Sequence, residues 1–120
     1  MAITIDAADP RRLAAFWTAL LDTSIEDELD EGRYLFLAGG EGLPELCLQL
    51  VPEPKTAKNR VHLDLSVDDL GTATDLVLGL GGSWVDGQDR AIDRYRWRTL
   101  ADPEGNEFDV ILEGDPPAPG

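Results

Sequence analysis

The sequence predicts an α+β domain made of two tandem βαβββ modules, and three observations carry that prediction. Several short stretches alternate strictly between apolar and polar residues, two stretches repeat apolar residues at helical spacing, and the same order of elements recurs at an offset of 60 residues. At 120 residues the chain is long enough to bury a core without disulfides or a structural metal.

The first module is read over residues 1–51. Ile3, Ile5 and Ala7 alternate with Thr4 and Asp6, which gives a strand with one polar row. Asp9 and Pro10 then start a helix, Asp9 as N-cap and Pro10 at the first helical position, where a missing N–H costs nothing. Leu13, Phe16, Trp17, Leu20 and Leu21 form its apolar stripe, with Arg11, Arg12 and Thr18 outside. A hairpin of residues 24–29 and 33–38 turns through Asp30, Glu31 and Gly32. After the turn at residues 39–42, Leu46, Leu48 and Leu50 take one face of a last strand and Cys47, Gln49 and Val51 the other.

Residues 52–60, with two prolines and two lysines, read as an extended linker. The second module, residues 61–113, repeats the order. Val61, Leu63, Leu65 and Val67 alternate with His62, Asp64, Ser66 and Asp68, and the helix capped by Asp69 carries Ala73, Leu76, Val77 and Leu80 on its apolar stripe. Gly81 and Gly82 stop it as a left-handed cap would. Residues 83–85, 94–99 and 106–112 supply three further strands, with a turn at residues 102–106 before the last. Residues 114–120, rich in proline, read as a flexible tail.

Sliding the chain by 60 residues places Ile3, Ile5, Asp9, Phe16 and Leu20 on Leu63, Leu65, Asp69, Leu76 and Leu80, core on core and cap on cap. The same shift places Gln49 on Asp109. Duplication accounts for this better than two unrelated amphipathic halves.

Charge narrows the function. With 24 acidic against 10 basic residues the formal net charge is −14, which argues against nucleic acid and anionic membranes, both of which need a cationic footprint. The single Cys47 cannot form an internal disulfide, and no apolar run is long enough for a signal segment or a membrane span, so a cytoplasmic location is expected.

The polar row holding His62, the only histidine, is where chemistry is sought. Asp64 shares that row, and Asp6 occupies a similar row in the first half. Glu107 stands two residues from Asp109, so the two carboxylates could act as acid and base, although most exposed carboxylates in so acidic a chain are simply solvated. Cys47 has the parity of Gln49; a nucleophilic thiolate there would need a base or a positive charge beside it, and a packed thiol is the plainer reading. In the run 94–98, Arg94, Arg96 and Arg98 alternate with Tyr95 and Trp97. Inward arginines would favour an anionic ligand and inward aromatics a flat or apolar one; Leu100 shares the arginine row, which predicts a bulge.

Together, the segment Ile5 to Trp17, the stretch Lys58 to Leu65 and the run Asp102 to Phe108 resemble the glyoxalase-like branch of the vicinal oxygen chelate superfamily, which also holds bleomycin-resistance proteins and extradiol dioxygenases. The resemblance covers roughly residues 2–112. It implies strands curled into a cup, a small-molecule ligand within it, and a homodimer. It also implies a divalent metal on four cup-floor residues, here Ala2, Gln49, His62 and Asp109. Ala2 cannot ligate, so His62, Gln49 and Asp109 are the only metal candidates, for Ni, Co, Mn, Fe or Zn, and the expectation is that no cofactor is bound. Thr4, Asp6, Cys47, Gln49, His62, Trp97 and Asp109 are the expected ligand-lining residues, with Glu107 or Asp64 as a catalytic base. The expected function is a metal-free binding or sequestration protein or a metal-independent enzyme; the alternative is a metal-dependent lyase, isomerase or dioxygenase.

Overall fold

Asp9 and Asp69 open the two helices by the same local chemistry. In the computed structural model, which describes residues 1–40 and 42–113, each carboxylate accepts a hydrogen bond from a backbone N–H three residues on, Arg12 at 3.2 Å and Thr72 at 2.8 Å. The helices α1 (Pro10–Leu21) and α2 (Leu70–Gly79) follow. At the end of α2, Gly81 takes φ +98°, and Gly82 and Gly81 donate to the carbonyls of Val77 and Leu78, which closes the exposed helix end in a Schellman arrangement.

The chain divides into two compact units, one of residues Met1–Thr56 and one from Ala57 onward. In the first unit the strands β1 (Ala2–Ala7), β2 (Ile25–Leu29), β3 (Tyr34–Leu37) and β4 (Glu45–Leu50) form a sheet in the order β1-β4-β3-β2, with β1 and β4 parallel. In the second, β5 (Leu63–Ser66), β6 (Ser83–Trp84), β8 (Tyr95–Ala101) and β9 (Glu107–Glu113) form the order β5-β9-β8-β6, with β5 and β9 parallel. A short strand, β7 (Arg90–Ile92), also pairs with β8. The two orders match strand for strand, which is what duplicated modules produce, apart from β7.

Each helix lies on the apolar face of its own sheet, α1 on β3 and β4, α2 on β6, β8 and β9. The first core is Leu13, Phe16, Trp17, Leu35, Leu37 and Leu48; the second is Val77, Leu100, Phe108 and Val110, all at most 2% exposed. Among the described residues no helix is long and apolar enough to cross a membrane.

Four sequence expectations change. Val61 is not in the buried row: it is 78% exposed, because β5 begins only at Leu63 and the residues before it run outside the ladder. Leu76 is 47% exposed, since α2 turns Thr74 and Val77 toward its sheet instead; the Thr74 hydroxyl is satisfied by the Leu70 carbonyl and by Arg98. No bulge is needed at Leu100, because β8 runs against β9 in unbroken register from Tyr95↔Glu113 to Ala101↔Glu107. Arg98 shares the helix-side face with Leu100, its guanidinium 4.2 Å over the Trp84 ring and bonded to Asp89 and Thr74. Finally, β7 is an additional strand at residues to which the sequence pattern assigns no element. The expected tail, 114–120, lies outside the described residues, as does Glu41 of the turn at 39–42.

Candidate functional site

Strand pairing brings three chemically active side chains to one place on the polar face of the second sheet. Asp64 on β5 stands directly beside Asp109 on β9 in the parallel ladder, and Asp109 stands opposite Thr99 on β8. Residues opposite one another project to the same side of a sheet, so these three share a face. His62, two residues before Asp64, reaches the same spot. Its Nδ1 lies 3.3 Å from Asp64 Oδ1 and 3.5 Å from Asp109 Oδ2. One potential ligand atom from each of His62, Asp64 and Asp109 falls within 4.8 Å of the others.

The cluster is graded from water inward. Asp109 is 9% exposed, whereas His62 and Asp64 are exposed. Burial pushes the Asp109 carboxyl above its ordinary range and the neighbouring Asp64 carboxylate adds to this, while the 2.7 Å hydrogen bond donated by Thr99 and the imidazole of His62 pull the other way. The folded chain therefore holds the Asp109 proton to higher pH than the unfolded chain does. Stability from this group is present in full below the ordinary Asp value and is lost as pH rises through the raised one. Thermal melts of cation-free protein at stepped pH should show this decline, and Asp109→Asn should flatten it.

The turn that leads into β9 is built for rigidity. Asp102, 3% exposed, accepts from the backbone N–H groups of Glu104 and Asn106 and from the Asn106 side-chain amide at 2.9–3.1 Å. Gly105 takes φ +85°, which a residue with a side chain adopts only with strain. Asp102→Ala is expected to cost about 1–3 kcal/mol by leaving those donors unpaired, read as a lower urea midpoint. On the other side, Asn59 accepts from the Glu107 N–H at 3.1 Å and donates to the Val61 carbonyl at 3.4 Å, tying the segment before His62 to β9.

Beside the cluster on the same face lies an open cleft of about 640 Å³, lined by Lys58, Val85, Asp86, Arg90, Thr99, Ala101, Gly105 and Glu107. Thr99 belongs to both, lining the cleft and donating to Asp109. Trp97 and Tyr95 lie on the cluster's face by register, Trp97 opposite Ile111 and Tyr95 opposite Glu113. The aromatic row, not the arginine row, therefore borders the site.

The remaining candidates lie in the first unit. Thr4 pairs with Cys47 and Asp6 with Gln49, all four on the polar face of that sheet. The registers correct the constant 60-residue offset. Asp64 pairs with Asp109, whereas Thr4, 60 residues before Asp64, pairs with Cys47 and Gln49 pairs with Asp6, so the offset differs by two residues between the first and last strands of the modules. The Asp64–Asp109 rung of the second unit carries two carboxylates, while in the first unit the Thr4–Cys47 rung carries a hydroxyl and a thiol and the Asp6–Gln49 rung a carboxylate and an amide. Cys47 is 3% exposed; burial pushes its thiol up and Glu45 adds to this against the Thr4 hydrogen bond, so the environment does not favour a thiolate.

The resemblance groups His62 with Asp109 as metal candidates and the alternation puts Asp64 on the row of His62, but Asp64 is not among the expected ligands, and Thr99, Asn59, Asp86 and Arg90 are given no role. The signal for Asp64 is the His-x-Asp spacing at 62–64, which puts both groups on one strand row. As a test of fit, one imidazole and two carboxylates form a donor set suited to a borderline divalent ion such as Mn, Fe, Co or Ni.

A duplicated βαβββ architecture with a His–carboxylate cluster on a sheet face defines a vicinal-oxygen-chelate type of protein. The family model for the glyoxalase-like domain matches residues 2–111, and the chain belongs to that family. Among solved structures, a glyoxalase/bleomycin resistance protein/dioxygenase family enzyme from Burkholderia phytofirmans PsJN is similar at 14% identity and TM-score 0.79, covering 94% of this chain and 97% of its own. The genomically encoded fosfomycin resistance protein FosX from Listeria monocytogenes is similar at 16% identity and TM-score 0.76, with 95% and 92% covered. A glyoxalase/bleomycin resistance protein from Albidiferax ferrireducens T118 has 16% identity and TM-score 0.68, with 93% and 97% covered. At these identities the likeness is one of fold. No curated protein matches the chain.

Proposed function

We propose that this protein binds a small molecule against the polar face of the second unit's sheet, with a divalent cation held by His62, Asp64 and Asp109 as the anchor. The convergence of those three ligand atoms within 4.8 Å is the observation that supports this most directly. When bound, such a cation would polarise oxygen atoms of the ligand. The protein's own groups supply the rest. Thr99 fixes the rotamer of Asp109 by its hydrogen bond, Asn59 holds the approach to His62, and the walls of the cleft select what fits beside them. Three donors from one unit replace the four donors from two units that the resemblance implies. Glu107, tied to Lys58 at 2.9 Å, is a wall of the cleft rather than a free base.

A second reading, sequestration of a small molecule without metal, draws on a specific observation: Ala2, at the position where the resemblance implies a ligand, has no ligating side chain, and the Thr4–Cys47 rung beside it carries a hydroxyl and a thiol. Elemental analysis of protein purified without a His-tag, followed by thermal melts with Mn²⁺, Fe²⁺, Co²⁺, Ni²⁺ and Zn²⁺, separates the two. Bound metal or a raised melting temperature with one of these ions is expected. No metal and no shift with any ion would leave the sequestration reading. The homodimer implied by the resemblance belongs to the same proposal and is read by size-exclusion chromatography at several concentrations.

A further inference from the structure

The cleft beside the cluster carries a statement about the ligand itself, resting on the proposal that the ligand lies on this face. Its lining holds two oppositely charged pairs, Lys58 with Glu107 at 2.9 Å and Arg90 with Asp86. The first pair is strongly unequal: the Glu107 side chain is 13% exposed and the Lys58 side chain 77%. The carboxylate is the fixed, enclosed partner and the ammonium the solvated one. In the second pair the cation is again the more exposed partner, at 44% against 32%.

That inequality decides which ligand charge the cleft accepts. An anion would have to draw Lys58 away and leave the enclosed Glu107 carboxylate without its cation, which is costly. An ammonium on the ligand would take the place of Lys58, whose own head, on a side chain already 77% exposed, would swing into water at little cost while Glu107 keeps a cation beside it. Glu107 would keep a charge-assisted hydrogen bond throughout. The surroundings act in the same direction, since a chain of net charge −14 concentrates cations near its surface. Val85 and Ala101 line the same cleft and suit an alkyl body behind the charged head. We propose that this cleft binds a small molecule through a protonated amine, with the Glu107 carboxylate as acceptor and Lys58 as the group displaced.

The test uses the full chain in cation-free buffer, with ¹⁵N-amide spectra recorded during titration with n-butylammonium, with its uncharged counterpart N-butylacetamide, and with butanoate. Saturable shifts at Thr99, Ala101, Gly105 and Glu107 are expected for butylammonium alone. Glu107→Gln, which keeps size and shape, should abolish them. Lys58→Ala should tighten butylammonium binding by about two- to fivefold, because it removes the solvated cation that competes for Glu107. No response to butylammonium, an equal response to all three probes, a response to butanoate alone, or weaker binding in Lys58→Ala would each overturn the assignment. Zn²⁺ added to the same samples reports separately on His62, whose imidazole signals are the only ones of their kind in the chain. A Zn²⁺ response without a butylammonium response overturns the amine assignment alone. The reverse overturns the cation anchor and leaves the amine site standing.

Discussion

In titrations with Mn²⁺, the His62→Ala protein is expected to bind at least about 100-fold more weakly than the parent chain and to lose the cation-dependent rise in melting temperature. Loss of a group that merely orients a ligand already costs 10- to 100-fold in affinity, and His62 supplies a donor atom directly. The imidazole is also the only nitrogen donor in the cluster, so its removal leaves two carboxylates with the oxygen chemistry of a Ca²⁺ or Mg²⁺ site. Calorimetry reads the affinity. The variant should fold normally, because His62 precedes β5 and is exposed. An unchanged affinity would place the cation elsewhere.

Phe108→Ala is expected to have the largest effect on stability, about 3–5 kcal/mol, measured as a shift of the urea transition followed by tryptophan fluorescence. Phe108 is 0% exposed, stands between Leu63 and Leu100 on the helix side of the sheet, and is flanked in sequence by Glu107 and Asp109. Its loss opens a cavity under the strand that carries both groups. Typical domains hold only 5–15 kcal/mol in reserve, so the variant should also melt at markedly lower temperature. A change below about 1 kcal/mol would mean that the helix α2 collapses onto the gap.

What the sequence made legible was local. Asp9 with Pro10, Asp69, and Gly81 with Gly82 mark helix ends through bonds made within a few residues, and each does so in the structure. The alternation around His62 correctly put His62 and Asp64 on one row, but nothing local reveals that β9 lies parallel beside β5 with Asp109 on that rung. Register between strands so far apart in sequence is set by packing, and the offset between the modules changes by two residues from their first strands to their last. Arg98 misled for a similar reason. A charged residue on the leucine row reads as a register fault until Trp84, Thr74 and Asp89, each at least nine residues away, are seen to receive it. The strand β7 escaped notice because its three residues are all exposed and gain their conformation from pairing with β8.

The outermost strand of the first sheet, β2, exposes all five of its residues, among them Glu26, Asp27 and Glu28 in sequence. An unpaired ladder rim invites another chain to add itself, and three adjacent negative charges repel any copy that tries. High salt would screen that guard while Ile25 and Leu29, 42% and 49% exposed, remain as adhesive contacts. Self-association at high ionic strength should therefore begin at this rim.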